Sequence, residues 1–218
     1  MLWQGELRNG SSMSGSNTVS ASRRQPVLGR HVLNLPNLIT GTRLLLAFVL
    51  FALISVAEFW ITSAFLFILA ASTDALDGYF ARRNGQITVL GRILDPFVDK
   101  VIVCGSFVCL LEHQDRPDSG VRAWMVIIII GREMFVSSLR GILEKEGKDF
   151  SASFSGKLKM TLQCVAVSVS LFSMSPQFAW EWVPVARTAV LLVAVLVTLW
   201  SGAVYVSRGF ALLREDSV

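Results

Sequence analysis

The stretch Asp74-Ala-Leu-Asp77-Gly78-Tyr-Phe-Ala81-Arg82, followed after eight residues by Gly91-Arg-Ile-Leu-Asp95-Pro-Phe-Val-Asp99, sets four carboxylates at intervals of three and four inside otherwise apolar segments. On a helix those intervals put side chains on one face. Asp74 and Asp77 then share a face, with Gly78 and Ala81 close to it. Asp95 and Asp99 share a face of the next helix, with Gly91 one turn earlier. Four carboxylates gathered in a place of low dielectric repel one another and are costly to ionise. Divalent cations with oxygen ligands relieve that repulsion, and Mg2+ completes its shell with waters and substrate phosphates. Small residues and Arg82 in the same register suit a phosphate-bearing ligand packed against backbone. The stretch reads as a metal-dependent phosphoryl-transfer centre. Two surface helices with solvated acids could share the spacing, but the flanks at 59–73 and 101–111 are too apolar for a soluble face.

Composition points to a membrane protein. The chain is 53% hydrophobic and 17% charged, with a mean hydropathy of +0.56, whereas about a quarter of a soluble domain is charged. Its 218 residues suit one compact domain. The net charge of +4 is modest, and no nucleic-acid partner is expected. Cys104, Cys109 and Cys164 all lie in apolar runs without metal-type spacing, as small buried residues with no redox role do.

Taken in order, residues 1–33 are polar and rich in Ser, Gly and Arg, and read as a disordered cytosolic tail without a signal-type apolar core. A six-helix membrane domain is expected over 34–207, with a short cytosolic C-terminal tail at 208–218. The spans fall near 35–57, 59–82 and 90–111, then around 125–140, from 156 onward, and at 184–206. Each is near the roughly 20 residues that cross a bilayer. The polar ends are the start of span one, the end of two, the start of three, the end of four and the start of five. In an up-down chain all five lie on one side. Uncompensated charge within a bilayer costs about 2.5–3.5 kcal/mol per residue, so these ends must converge on a shared polar cavity.

Basic residues choose the side. Arg23, Arg24, Arg30, Arg82, Arg83, Arg92, Arg140, Lys145, Lys148, Lys157, Lys159, Arg208 and Arg214 fall with the cavity, and only Arg116, Arg122 and Arg187 fall opposite. The positive-inside rule places the cavity and both termini in the cytosol. For a bacterial chain that means a multi-pass protein of the inner or plasma membrane. Trp60, Trp124, Trp180 and Trp182 gather at the opposite ends, as an interfacial belt would.

The pattern Asp-x2-Asp-Gly-x2-Ala-Arg-x8-Gly-x3-Asp-x3-Asp resembles the signature of the CDP-alcohol phosphatidyltransferases, without departure across its 26 residues. The resemblance spans roughly residues 34–206. It implies an all-α integral membrane enzyme that takes a phosphatidyl group from CDP-diacylglycerol, uses two Mg2+ or Mn2+ ions, and forms homodimers. By the family pattern Asp74, Asp77 and Asp95 are metal ligands, and Asp99 serves the second metal and acts as general base. Two cations about 3.5–4 Å apart can stabilise both attacking and leaving oxygens. Gly78, Ala81 and Gly91 would let the cytidine approach, and Arg82 would pair with the nucleotide phosphates. Small residues also permit close helix packing, a second reading of the glycines. Asn37, Thr40 and Arg43, at the polar start of span one, complete the CDP-lipid set.

Arg132, Arg140, Lys157 and Lys159 form a basic set on the cavity side, outside the acidic motif. Cations beside so many carboxylates suggest an acceptor that carries its own phosphate. Gly131-Arg132-Glu133, Ser138-Leu-Arg140, Gly156-Lys157-Leu-Lys159 and the opening Pro36-Asn37-Leu-Ile-Thr40 look like segments of the phosphatidylglycerophosphate synthase branch. That likeness implies sn-glycerol 3-phosphate as acceptor. Inositol 1-phosphate and serine are the alternatives within the family, and a membrane metal-ion transporter is the alternative outside it. The one-sidedness of the polar half-spans weighs against transport.

Overall fold

The structure, a computed structural model, describes residues 35–84, 89–116, 118–145 and 154–215, with backbone only at 35–37, 74–84, 89–93, 154 and 212–215. The expected N-terminal tail lies outside the described residues. Among the described residues there are six α-helices and no strand: α1 (Leu35–Val56), α2 (Trp60–Asn84), α3 (Val89–Glu112), α4 (Ala123–Lys145), α5 (Phe154–Ser173) and α6 (Val183–Glu215). A short 3-10 turn, Pro176–Phe178, joins the last two and is capped by the Ser175 hydroxyl.

Local chemistry sets the boundaries. Pro36 sits in the first turn of α1, where its missing N–H costs nothing. Ala57 closes that helix in the left-handed region at φ 61°, its N–H reaching the Ile54 carbonyl. α4 begins where Met125 and Val126 both donate to the Arg122 carbonyl. α6 runs on to Glu215, so the boundary expected at 207 falls inside a helix.

α1 packs on α2 and α3, α5 on α2 and α6, and α4 on α3 and α6. Leu50, Ile54, Phe67, Ile102, Phe107, Leu110 and Ile129 fill the centre without solvent exposure or nearly so. A Cβ on Gly105 would stand 2.2 Å from the Phe51 ring, so this glycine lets α1 and α3 approach. The exterior carries many large apolar side chains: Leu45, Phe48, Phe65, Ile127, Phe135, Leu196 and Phe210 are all exposed. Such a surface suits hydrocarbon rather than water. Leu38–Val56 and Val183–Ala211 are each long and apolar enough to cross a bilayer, and Trp60–Thr73 is a shorter apolar helix. These features are those of a membrane protein, all-helical among the described residues. Trp124, Trp180 and Trp182 are exposed, as an interfacial belt requires. Trp60 instead is buried, edge-on to His113 and under the Arg116 guanidinium.

Candidate active site

The second half of the acidic motif is built by α1 against α3. Thr40 and Arg43 lie three apart on α1 and so share a face. Both are buried. The Thr40 hydroxyl donates to Asp95 Oδ1 at 2.5 Å, and the Arg43 guanidinium donates to Asp99 Oδ1. Asp95 and Asp99, one turn apart, are thus oriented by two side chains expected at the CDP-lipid. Pro96 stands between them inside the helix.

A cavity of about 230 Å3 opens beside Asp99. α3 contributes Asp99, Lys100 and Cys104, α4 contributes Arg132, Glu133 and Arg140, α5 contributes Lys157 and Lys159, and α6 contributes Tyr205. All four cations of the expected acceptor set therefore line one cavity with the expected base. Glu133 is buried and accepts from Arg132 at 3.1 Å and from the Lys159 ammonium through the same oxygen. Arg132 also donates to Ser201 at 2.6 Å. The Tyr205 ring lies beneath both guanidiniums, 5.3 Å from that of Arg132 and 6.0 Å from that of Arg140. Buried Nε of Arg140 has no hydrogen-bond partner, which leaves that guanidinium with donor capacity at the cavity wall. Lys157 is exposed, while Lys159 is buried.

The sequence model of the CDP-alcohol phosphatidyltransferase family matches residues 33–200. The chain belongs to that family. It is accordingly a phosphatidyltransferase, with the expected signature aspartates on α2 and α3. A Bacillus subtilis (strain 168) protein named CDP-diacylglycerol–glycerol-3-phosphate 3-phosphatidyltransferase is 37% identical over 199 residues, covering 84% of this chain and 99% of its own. The Escherichia coli (strain K12) protein of the same name is 37% identical over 191 residues, covering 84% and 98%. One from Salmonella choleraesuis is 36% identical over 182 residues, covering 80% and 93%.

The remaining expected residues of this phosphatidyltransferase divide by what is described. Asp74, Asp77, Gly78, Ala81 and Arg82 lie on α2, Gly91 on α3 and Asn37 on α1, and the side chains of all seven lie outside the described residues. Among the described residues no cluster of three His, Cys, Asp or Glu side chains is found. Asp95 and Asp99 offer hard oxygen donors on one helix face, which is the ligand chemistry Mg2+ and Mn2+ take. These two of the four expected ligands carry the donor type that a divalent cation takes.

Several contacts around the cavity escape the sequence pattern. Lys100 follows the last motif aspartate directly, yet nothing in the spacing marks it. Ser201, Thr198 and Tyr205 lie in the span with the least charge, which gave no polar signal. Thr198 accepts from the buried Gln163 at 3.0 Å and Ser201 accepts from Arg132, so α6 is part of the site's wall. Glu133 could have been found as an acid directly after the long apolar run of α4, where a carboxylate demands a partner.

Proposed function

We propose that the chain transfers the phosphatidyl group of CDP-diacylglycerol to sn-glycerol 3-phosphate, giving phosphatidylglycerophosphate and CMP in phospholipid biosynthesis. The observation that carries this reading is the single cavity joining Asp99 to Arg132, Arg140, Lys157 and Lys159. The names of the bacterial relatives support the same substrates.

In this reading the acceptor's phosphate rests against the cations, Arg140 above all, since a guanidinium with spare donors grips phosphate in two prongs. Its primary hydroxyl then points toward Asp99. Arg43 holds one oxygen of that carboxylate, which orients it to take the hydroxyl proton. The alcohol oxygen bonds to the phosphorus carrying the diacylglycerol, the bond from that phosphorus to the CMP oxygen breaks, and CMP departs. Thr40 keeps Asp95 in place alongside. Two Mg2+ or Mn2+ ions, held by Asp74, Asp77, Asp95 and Asp99, would neutralise charge building on the diphosphate as CMP leaves. Gly78, Ala81, Arg82, Gly91 and Asn37 are assigned to the CDP-lipid.

All six helices cross the membrane in this reading, with the cavity and both termini in the cytosol and the donor's acyl chains in the bilayer. A homodimer is the proposed assembly. The test is an acceptor panel: purified protein, CDP-diacylglycerol and a divalent cation with labelled glycerol 3-phosphate, inositol 1-phosphate or serine. Lipid product and equal CMP should appear with glycerol 3-phosphate. Product with another acceptor alone would reassign the substrate, and metal flux without any lipid product would return the transporter reading.

A further inference from the structure

The cations around the cavity are not equivalent. Arg132 and Lys159 share the single Glu133 carboxylate, which offsets one of their two charges within the protein. Lys100 differs. It lines the same cavity, and its ammonium donates to the Ser137 hydroxyl at 2.6 Å. That hydroxyl donates in turn to the Glu133 carbonyl at 2.6 Å. Ser137 therefore fixes where the ammonium sits without cancelling its charge. Among the described residues no carboxylate pairs with Lys100 or Arg140. A cation on a largely apolar wall without a counter-ion is costly, and a phosphate monoester with close to two negative charges would supply one.

We propose that Lys100 is an acceptor-selecting residue that binds the phosphate of the incoming alcohol together with Arg140, while Glu133 is a positioning residue holding Arg132 and Lys159. This rests on the reading of the cavity as the acceptor site. Consecutive residues on a helix diverge by about 100°. Asp99 can thus face the alcohol's hydroxyl while Lys100 faces its phosphate. An acceptor without net negative charge, such as the zwitterion serine, cannot offset both Lys100 and Arg140, so the cavity disfavours it by charge.

The experiment is steady-state kinetics of the full chain in CDP-diacylglycerol vesicles, with each substrate varied in turn and inorganic phosphate as competitor. Lys100→Gln should raise both the glycerol 3-phosphate KM and the phosphate inhibition constant by about ten- to hundredfold, the range for a charge-assisted hydrogen bond, and leave the donor KM unmoved. Lys100→Arg, which keeps the charge, should recover part of the loss. If the glutamine variant does not fold, Lys100→Met keeps the stem and removes the charge for the same measurement. Unchanged acceptor KM and phosphate inhibition, or a donor KM that rises in step, would overturn the assignment while the wild type still makes product. A wild type that makes no lipid from glycerol 3-phosphate would overturn the cavity reading and this assignment with it.

Discussion

Asp99 stands where three features meet: the end of the acidic motif, the Arg43 guanidinium and the mouth of the basic cavity. Asp99→Asn should lower turnover by about 10²–10⁴-fold, as loss of a general base does, while CDP-diacylglycerol binding stays measurable. Wild-type turnover in that variant would remove Asp99 from the chemistry. Arg140→Ala should raise the acceptor KM by about ten- to hundredfold with the donor KM unchanged, and Arg140→Lys should also be impaired because an ammonium lacks the planar fork. An unmoved acceptor KM would return Arg140 to a topological role. The aspartates and these arginines stood out in the sequence as candidates because charge within apolar runs has few structural uses. Lys100, Ser137 and Tyr205 did not, because their importance comes from which helix faces which. Thr40 and Arg43 were legible as polar residues, though their carboxylate partners more than fifty positions away were not.

At the scale of elements, apolar runs and their polar ends placed the first three helices within two residues at each end and the starts of the other three, since hydrocarbon-length segments leave little choice of secondary structure. The α3–α4 connection was less legible, being built from long-range polar contacts. Arg187 of α6 donates to the Asp118 carbonyl and lies 3.4 Å from the Ser173 hydroxyl. Gly120 adopts φ +67°, and a Cβ there would lie 2.2 Å from Arg187 Nε. Gly120→Ala should therefore destabilise the protein by about 1–2 kcal/mol from the left-handed backbone alone, with further loss from displacing Arg187. Thermal unfolding in detergent measures this, and an unchanged Tm would contradict it. In the same connection, burial pushes the Asp118 carboxyl up, but hydrogen bonds from Arg116 and its own backbone, with the nearby guanidiniums, hold it below the usual 3.8 overall. A depressed folded value means stability that is present above about pH 4 and lost as pH falls through the lower folded value. Asp118→Asn should flatten that acid limb of the stability profile, and an identical acid limb in the variant would show that Asp118 does not contribute to it.

Among the described residues, the acidic and basic side chains of the Asp99 cavity gather at one end of the bundle. The Arg187 contacts lock the α3–α4 connection at the other, and large apolar side chains cover the outside. The convergence of the cavity's charged residues from α3, α4 and α5 was expected from the polar half-spans, whereas the 33-residue length of α6 was not, because its last turns carry Arg208 and Arg214 beyond the apolar run. In six-span topology, exposed Gln114 and Glu144 lie on opposite faces of the membrane. With Cys104, Cys109 and Cys164 replaced by alanine, Gln114→Cys and Glu144→Cys report orientation to an impermeant thiol reagent. The direct test is made in proteoliposomes holding CDP-diacylglycerol in both leaflets, with labelled glycerol 3-phosphate and divalent cation added outside only. The account predicts phosphatidylglycerophosphate and CMP in equal amounts, in proportion to the fraction of protein whose Glu144→Cys site is labelled from outside. Product in proportion to the fraction exposing Gln114→Cys, or no lipid product at all, would contradict it.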